Sequence, residues 1–370
     1  MLIPAIYAPL RAWALGQGGP GTRPHVLNAE TWEQCAPAER LERFQILRSN
    51  EPDAARELFA QMATTVPPEK RLALLGVLQQ GLCEQDAELL ETLRKDRSGK
   101  VAELAGQLLA QLGRVPEGSE SKELVSFFEI TRVGLLGRLR NGRTGGMQVR
   151  PIFEKKNARR IQRNALLASA SLNGLAAVLE LQPTEVLQGW AFGIDPTADE
   201  LFCGVVGRTG TSEAITALAQ RILKLDPPGS ALLADIAPRM DSATIQHAVR
   251  YLLAQDVHHV ELAMRVAGEE LGFLGSADLR KMPTYAWFTK RLRHAGAENR
   301  VQLEPVESRA VGAWLRACGL LADQDAARLL VDELCGLGLS PHDPLLALMQ
   351  FNAALPAAPF PPTPNSGPPG

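Results

Sequence analysis

Basic side chains dominate the chain between Arg132 and Arg163, where Glu154 is the only acidic residue. Guanidinium and ammonium groups at this density attract phosphates and carboxylates. The stretch therefore predicts an anionic partner: nucleic acid, a phosphate-bearing ligand or an acidic protein face. The alternative is that these cations pair with acids elsewhere, because the formal net charge of the chain is only −2. The candidate residues for the anionic partner are Arg138, Arg140, Arg143, Arg150, Lys155, Lys156, Arg159, Arg160 and Arg163.

Histidines and cysteines are the next residue types that could do chemistry. His258 and His259 have acidic neighbours, but adjacent residues on a helix point about 100° apart and do not converge on one ion. We interpret them as surface or partly buried histidines. Cys318 and Cys335 lie within helical patterns rich in Leu and Ala, where a cysteine usually acts as a small core residue. The sequence therefore predicts no catalytic residue, no metal site and no cofactor.

Two stretches, at residues 16–23 and 204–213, are rich in glycine, as phosphate-binding loops are. Neither has the spacing GxxxxGK[ST] or GxGxxG. The second is interpreted as a turn before a helix that begins near Thr211. Phosphate binding at that helix N-terminus is the less favoured alternative.

The charged tetrapeptide KDRS at residues 95–98 precedes an amphipathic helical pattern. Asp96 and Ser98 stand where that helix begins, and such side chains accept hydrogen bonds from free backbone N–H groups. An acidic residue there also complements the helix dipole. We therefore predict that Asp96 forms a corner between two helices, with Arg97 toward solvent, rather than a catalytic pair.

The elements that must position these residues are predicted to be helices, because Leu and Ala dominate the apolar residues. Between residues 36 and 113 the helical period defines five short helices. They begin near residue 36, at Pro52, near Thr65, near Asp86 and near Ser98. Because the loops between them are short, these helices must pack as neighbours. Gly81 is the predicted stop of the third helix.

The rest of the chain alternates between irregular and helical patterns. A polar linker and the basic segment occupy residues 114–163, which favour a β-hairpin or an irregular excursion around NGRTGG. Helices then fill 164–354, flanked by a predicted irregular arm at 1–27 and a disordered Pro-rich tail at 355–370. The last helices are predicted at about 242–254, 257–271, 285–294, 306–320, 323–337 and 343–354.

Composition excludes several classes of protein. Aromatic residues make up 5% of the chain, which argues against a β-sandwich or a stacking platform for single-stranded nucleic acid. The five cysteines are scattered, as in reduced cytosolic proteins. The first residues make a poor signal peptide, and no apolar run approaches the length of about 18 residues that a membrane span needs. We therefore expect a cytoplasmic protein.

Some stretches resemble known families. DRSGKV followed by an Ala/Leu-rich helix resembles a HEAT-type repeat, although Ala102 follows Val101 where such repeats often have a basic residue. The stretches LERFQILRSNEPDAARELF, EKRLALLGVLQQGLCEQDAELLETL and LQPTEVLQGW are similar to an uncharacterised bacterial family of helical proteins, and this likeness spans residues 30–205. The resemblance implies a scaffold without catalytic residues, often encoded near AAA ATPases and von Willebrand-A-type proteins.

The sequence thus predicts an all-α fold: a HEAT-like α-solenoid of stacked helix pairs, at residues 28–113, with an irregular basic insertion. The leading functional hypothesis is a non-enzymatic protein-interaction scaffold, for which the resemblance implies an AAA ATPase as a candidate partner. The second hypothesis is a nucleic-acid-binding or repair-type helical-repeat protein that uses the basic stretch 132–163.

Overall fold

Helices make up most of the protein. The structure, a computed structural model, describes residues 27–114, 122–132, 147–225, 229–255, 259–295 and 305–355. Within these ranges the one sheet has two strands, so the predicted all-α class is confirmed. The chain divides into two compact units at 241/242. This boundary lies inside the segment 164–354, which the sequence alone assigned to one helical region.

The first unit begins with five helices, and each starts within two or three residues of its predicted position. Proline occupies the first turn of the first three helices, where its missing N–H removes no hydrogen bond. Gly81, beyond the end of the third helix, has φ +64°, a conformation that favours glycine. The helices are α1 (Pro37–Asn50), α2 (Pro52–Met62), α3 (Pro68–Leu78), α4 (Ala87–Leu93) and α5 (Gly99–Gln111).

These five helices share one hydrophobic core. The rings of Phe44 in α1 and Phe59 in α2 meet edge to face with their centroids 6.0 Å apart, and both side chains are fully buried. Helix α3 packs against α1 and α5, while α4 packs against α5. Leu75, Leu90 and Val101 add buried side chains from the last three of these helices. The apolar spacing read from the sequence is therefore the spacing that the core uses.

Asp96 forms the corner between α4 and α5 that the sequence predicted. Its Oδ1 accepts a hydrogen bond from the Ser98 backbone N–H at 2.8 Å. Its Oδ2 lies 2.8 Å from Nε of Arg71. Nη1 of the same arginine donates to the Ala63 and Val66 carbonyls. Asp96 therefore ties this corner to the start of α3.

A second, more deeply buried ion pair joins α1 to the loop between α3 and α4. Arg48 and Asp86 are fully buried, and the two guanidinium Nη atoms donate to the two carboxylate oxygens at 3.0 and 2.6 Å. Arg48 also donates to the backbone carbonyls of Gln80 and Gly81, both at 2.9 Å. Arg56 donates to Asp86 from α2 at 2.9 Å. One guanidinium and one carboxylate thus fix the path of residues 78–86.

The remainder of the first unit contains the sheet and six further helices. A 3₁₀ turn (Lys122–Phe127) leads into strand β1 (Phe128–Arg132), which pairs antiparallel with β2 (Met147–Pro151), so Ile130 faces Val149. The predicted linker and the NGRTGG segment fall mostly at residues 115–121 and 133–146, outside the described residues. The helices that follow are α6 (Asn157–Ser169), α7 (Leu172–Val178), α8 (Pro183–Gly189), α9 (Pro196–Thr209), α10 (Ser212–Ile222) and α11 (Leu233–Ile236).

Helices are the main elements of the second unit in its described residues. All six helices predicted there are present, and the sequence missed only a one-turn helix, α14. Trp314 is buried beside Phe288 and Tyr285, whereas Trp287 is 37% exposed. The helices are α12 (Ser242–Gln255), α13 (Val260–Ala267), α14 (Ser276–Arg280), α15 (Pro283–Ala295), α16 (Pro305–Leu321), α17 (Gln324–Gly336) and α18 (Ala347–Ala354).

Gly319 allows α18 to pack closely on α16. A Cβ atom at Gly319 would lie 2.8 Å from Cγ of Leu348 and 3.0 Å from the Met349 backbone nitrogen. Beside this contact the buried Asn352 donates to the carbonyls of Gly319 and Ala322, so α18 cannot shift freely. The absence of a side chain at Gly319 is therefore required by packing.

We predict that Gly319→Ala lowers the free energy of unfolding by about 1–3 kcal/mol, because overpacking displaces the backbone of α18. Gly312→Ala in the same helix is the matched control. Its Cβ would lie 3.6 Å from Leu345, an ordinary contact, so helix propensity should stabilise it by about 0.5–1 kcal/mol. Thermal unfolding of both variants checks this, and equal midpoints would contradict it.

Candidate basic surface

The structure divides the sequence-predicted basic residues into three groups. Arg138, Arg140 and Arg143 lie outside the described residues. Arg163 is fully buried and is therefore not part of any surface that meets an external ligand. The residues that are exposed, on β2 and around the start of α6, are Arg150, Lys155, Lys156, Arg159 and Arg160.

Arg163 instead anchors α6 to the body of the first unit. Its Nη1 lies 2.7 Å from Oδ2 of Asp195, the N-cap residue of α9, and donates to the carbonyl of Ile152 at 3.2 Å. Its Nε and Nη2 donate to Oδ1 of Asn164. Together with the buried Leu167, Arg163 forms the inner side of α6, which packs on α9. The outer side of α6 is thereby held toward solvent.

The carboxyl group of Asp195 stays ionised in this pair. Burial favours its protonated form, but the hydrogen bonds from Arg163 and from the Ala198 backbone N–H outweigh burial and lower the pKa of Asp195. The backbone bond to Ala198 also caps α9, at 3.2 Å. Asp195 therefore fixes two helices through one ionised side chain.

The strand that leads into α6 is held by Trp190. The Ala191 backbone N–H donates to the carbonyl of Val149 in β2 at 2.8 Å. The Trp190 ring stacks on Phe202 with centroids 4.0 Å apart, and Nε1 of Trp190 donates to Asp199 at 2.8 Å. Burial raises the pKa of Asp199 despite its hydrogen bonds from Trp190 and Gly193. The segment that carries the exposed cations is thus held at β2 by the Ala191–Val149 hydrogen bond and in α6 by the Arg163–Asp195 pair.

Arg159 is partly committed to contacts within the protein. Its Nε lies 3.2 Å from Oε1 of Glu154, and its guanidinium carbon lies 4.8 Å from the centroid of the Phe127 ring. The only acid in the basic segment therefore neutralises Arg159. Lys155, Lys156 and Arg160 have no carboxylate within 4 Å among the described residues.

Two apolar side chains accompany these cations, and the sequence reasoning did not single them out. Phe153 is 65% exposed and Ile161 is 60% exposed, the largest values among the big apolar side chains of the described residues. No sequence signal separates them from core residues, because each stands in a pattern that also fits a buried position. We call the exposed set the β2–α6 surface. It consists of Arg150, Phe153, Lys155, Lys156, Arg160 and Ile161.

Other sequence candidates are accounted for by the fold. Burial raises the pKa of the Cys318 thiol, which keeps the thiol protonated, and the same cause raises the pKa of Cys335. The predicted turn at 204–213 is wrong for residues 204–209, which lie inside α9, where Gly207 allows the Asp235 backbone to approach closely. Thr211 caps α10, as predicted, by accepting from the Ala214 N–H. His258 lies outside the described residues. No group of three metal-binding side chains occurs within the described ranges.

Comparison with known proteins reaches only the N-terminal part of the chain. Residues 5–116 match a family of unknown function (DUF5691). This match includes α1 to α5 with the Arg48–Asp86 pair, and covers less than one third of the 370 residues. It agrees with the resemblance to an uncharacterised family. No curated protein and no solved structure matches the chain. Within the described residues, every helix is too short or too polar to cross a bilayer.

Proposed function

We propose that the protein is a cytoplasmic, non-enzymatic interaction scaffold, and that its β2–α6 surface binds an acidic face of a protein partner. The observation that carries this proposal is the combination of exposed Phe153 and Ile161 with three cations that lack an internal carboxylate. Buried apolar anchors surrounded by charges are typical of protein interfaces. The rigid mounting of α6 through Arg163 supports it, because a preorganised surface loses less entropy on binding.

Protein is favoured over nucleic acid because of the apolar residues. A phosphate backbone would satisfy Lys155, Lys156 and Arg160, but it offers no partner for Ile161. An acidic helix with apolar residues on the same side would satisfy both kinds of group. Nucleic-acid binding, for which the cations alone would suffice, is therefore the competing outcome of the test.

A HEAT-like stack of helix pairs is the architecture that we propose for α1 to α5. The packing of α1 on α2 and of α4 on α5, with α3 against α1 and α5, supports it. By the family resemblance, an AAA ATPase system of a bacterial cell is the candidate partner. The match of residues 5–116 to a family of unknown function is compatible with this and names no partner.

The test is affinity purification of the tagged full chain from its native cells, with and without nuclease, followed by mass spectrometry. We expect the triple variant Lys155→Glu, Lys156→Glu, Arg160→Glu to recover at least about tenfold less of the partner than the wild type does. The reason is that the new carboxylates repel an acidic face. The matched control reverses three exposed cations of the α4–α5 corner. These are Lys95, Arg97 and Lys100.

A nuclease-resistant partner that is lost from the triple variant and retained by the control supports the proposal. Phe153→Ser should weaken binding of the same partner. The salt dependence of that binding should not change, because Phe153 carries no charge. Recovery of nucleic acid, with the proteins lost after nuclease treatment, would overturn the proposal in favour of nucleic-acid binding. Equal recovery by all variants would exclude the β2–α6 surface.

A further inference from the structure

The first unit contains a polar cavity that is separate from the β2–α6 surface. Its volume is about 490 Å³, within the usual range of ligand sites. The ends of α3 and α5 form one side of it, and the start of α10 and a 3₁₀ turn (Ala237–Arg239) form the other. The side chains that the argument uses are Gln79, Gln111, Thr211, Glu213 and Arg239.

Arg239 is the single cation among the described residues that line the cavity. Its Nη1 donates to the carbonyls of Gly207 and Gly210 at 3.1 and 2.8 Å, which places the guanidinium at the C-terminal end of α9. No carboxylate of the described residues lies within 4 Å of it, and its Nε and Nη2 make no hydrogen bond there. Burial alone lowers the pKa of Arg239 to about 10. The cavity thus holds a half-buried charge that carbonyl dipoles compensate only in part.

The start of α10 does not supply the missing anion. Thr211 already accepts from the Ala214 N–H at 3.3 Å. Glu213 is hydrogen-bonded to its own backbone N–H and to the Thr211 hydroxyl, and these contacts lower the pKa of Glu213. The amides of Glu213 and Ala214 are therefore occupied from within the helix. The amide groups of Gln79 and Gln111 remain as further polar groups, and Nε2 of Gln111 donates to the Arg208 carbonyl at 2.8 Å.

We propose that this cavity binds a small oxyanion, a phosphate or a carboxylate group, which pairs with the free N–H groups of Arg239. A planar guanidinium presents two parallel donors to such a group, and the amide of Gln79 at the exposed rim can donate to it as well. The site depends on neither the scaffold proposal nor the β2–α6 surface. Two kinds of ligand carry such an oxyanion: a free ion such as phosphate, and a peptide with a free terminal carboxylate.

The experiment is isothermal titration of the full chain with inorganic phosphate, with chloride at equal ionic strength as the reference. A short peptide with a free C-terminus and its amidated form are titrated in the same way. We expect saturable binding of phosphate or of the free-carboxylate peptide. Gln79→Glu should weaken it about tenfold, since it places a like charge at the rim of the cavity and removes the amide donor. Gln80→Glu, the exposed neighbour outside the cavity, should change it less than about twofold.

Arg239→Met removes the cation and should abolish binding, with folding checked by circular dichroism. Because that variant also loses two carbonyl contacts, the Gln79→Glu result keeps the test valid if Arg239→Met fails to fold. Phosphate and chloride titrations that do not differ, together with no peptide binding, would overturn the proposal. So would an affinity that is the same in the wild type and Gln79→Glu. Preference for the free peptide over phosphate would identify the carboxylate source.

Discussion

Asp86→Asn is expected to cost about 3–5 kcal/mol of unfolding free energy, because it leaves two guanidinium groups without their shared carboxylate. Arg48 is fully buried and Arg56 is largely so, and both donate to Asp86 at 3.0 Å or less. The neutral amide keeps the size of the side chain, so the loss reports charge and hydrogen bonding rather than a cavity. Urea unfolding of the full chain, followed by circular dichroism, measures it.

The control is the exposed pair Glu39–Arg43, whose charged atoms also lie 3.0 Å apart, within one helix. Glu39→Gln should cost less than about 0.5 kcal/mol, because solvent screens an exposed pair. A loss of the same small size in Asp86→Asn would show that the buried pair is not essential.

The pH dependence of stability provides a second readout of the same pair. Burial opposes ionisation of Asp86, but hydrogen bonds from Arg48, the Cys83 N–H and Arg56 prevail and lower its pKa. The folded state therefore binds this proton less readily than the unfolded chain. The stabilisation is fully present above the unfolded value of about 4, and it is lost as the pH falls through the folded pKa. Asp86→Asn should accordingly lose less stability in acid than the wild type does.

Arg163→Met is the second change with a large expected effect, a loss of about 3–5 kcal/mol, because Asp195 would remain buried without its cation. Arg160→Met, three residues earlier on the exposed side of the same helix, should change stability by less than about 0.5 kcal/mol. Chemical unfolding distinguishes the two variants. Both arginines belong to one basic run in the sequence, which does not distinguish them. A similar loss of stability in both variants would mean that Arg163 does not anchor α6.

Reversing Arg163 together with its neighbours would therefore give a misleading binding experiment. A variant such as Arg159→Glu, Arg160→Glu, Arg163→Glu would place a carboxylate against Asp195 and disrupt α6 itself. Lost binding would then report lost structure. The exposed triple variant at Lys155, Lys156 and Arg160 avoids this problem.

Most helices of both units could be predicted from the sequence because their signals are local. The exceptions are residues 157–163 and 204–209, predicted to be irregular and a turn, which are helical in α6 and α9, and the short α14. Pro52 at the start of α2, Gly81 after α3 and the apolar spacing from Val101 to Leu109 each act within one or two turns. The pairing of β1 with β2 was one of two predicted alternatives for a segment rich in β-prone residues and glycine. The helix signals need no knowledge of distant residues.

The candidate site could be predicted only in part, because exposure depends on tertiary contacts. Arg163 and Asp195 are 32 positions apart, and no local pattern pairs them. Arg48 and Asp86 are 38 positions apart and were not singled out for the same reason. Phe153, Ile161 and Trp287 are apolar residues that the fold leaves exposed, which periodicity alone cannot separate from core positions.

The Arg48–Asp86 pair also bears on the order in which the chain can fold during synthesis. Arg48 leaves the ribosome well before Asp86. Until Asp86 has also emerged, the Arg48 guanidinium lacks the carboxylate with which it pairs in the core. We therefore expect that the first three helices, ending at Leu78, do not fold stably by themselves. A nascent chain must extend past Asp86 before α1 can bury its inner side, so the N-terminal helices should become protease-resistant together rather than one after another.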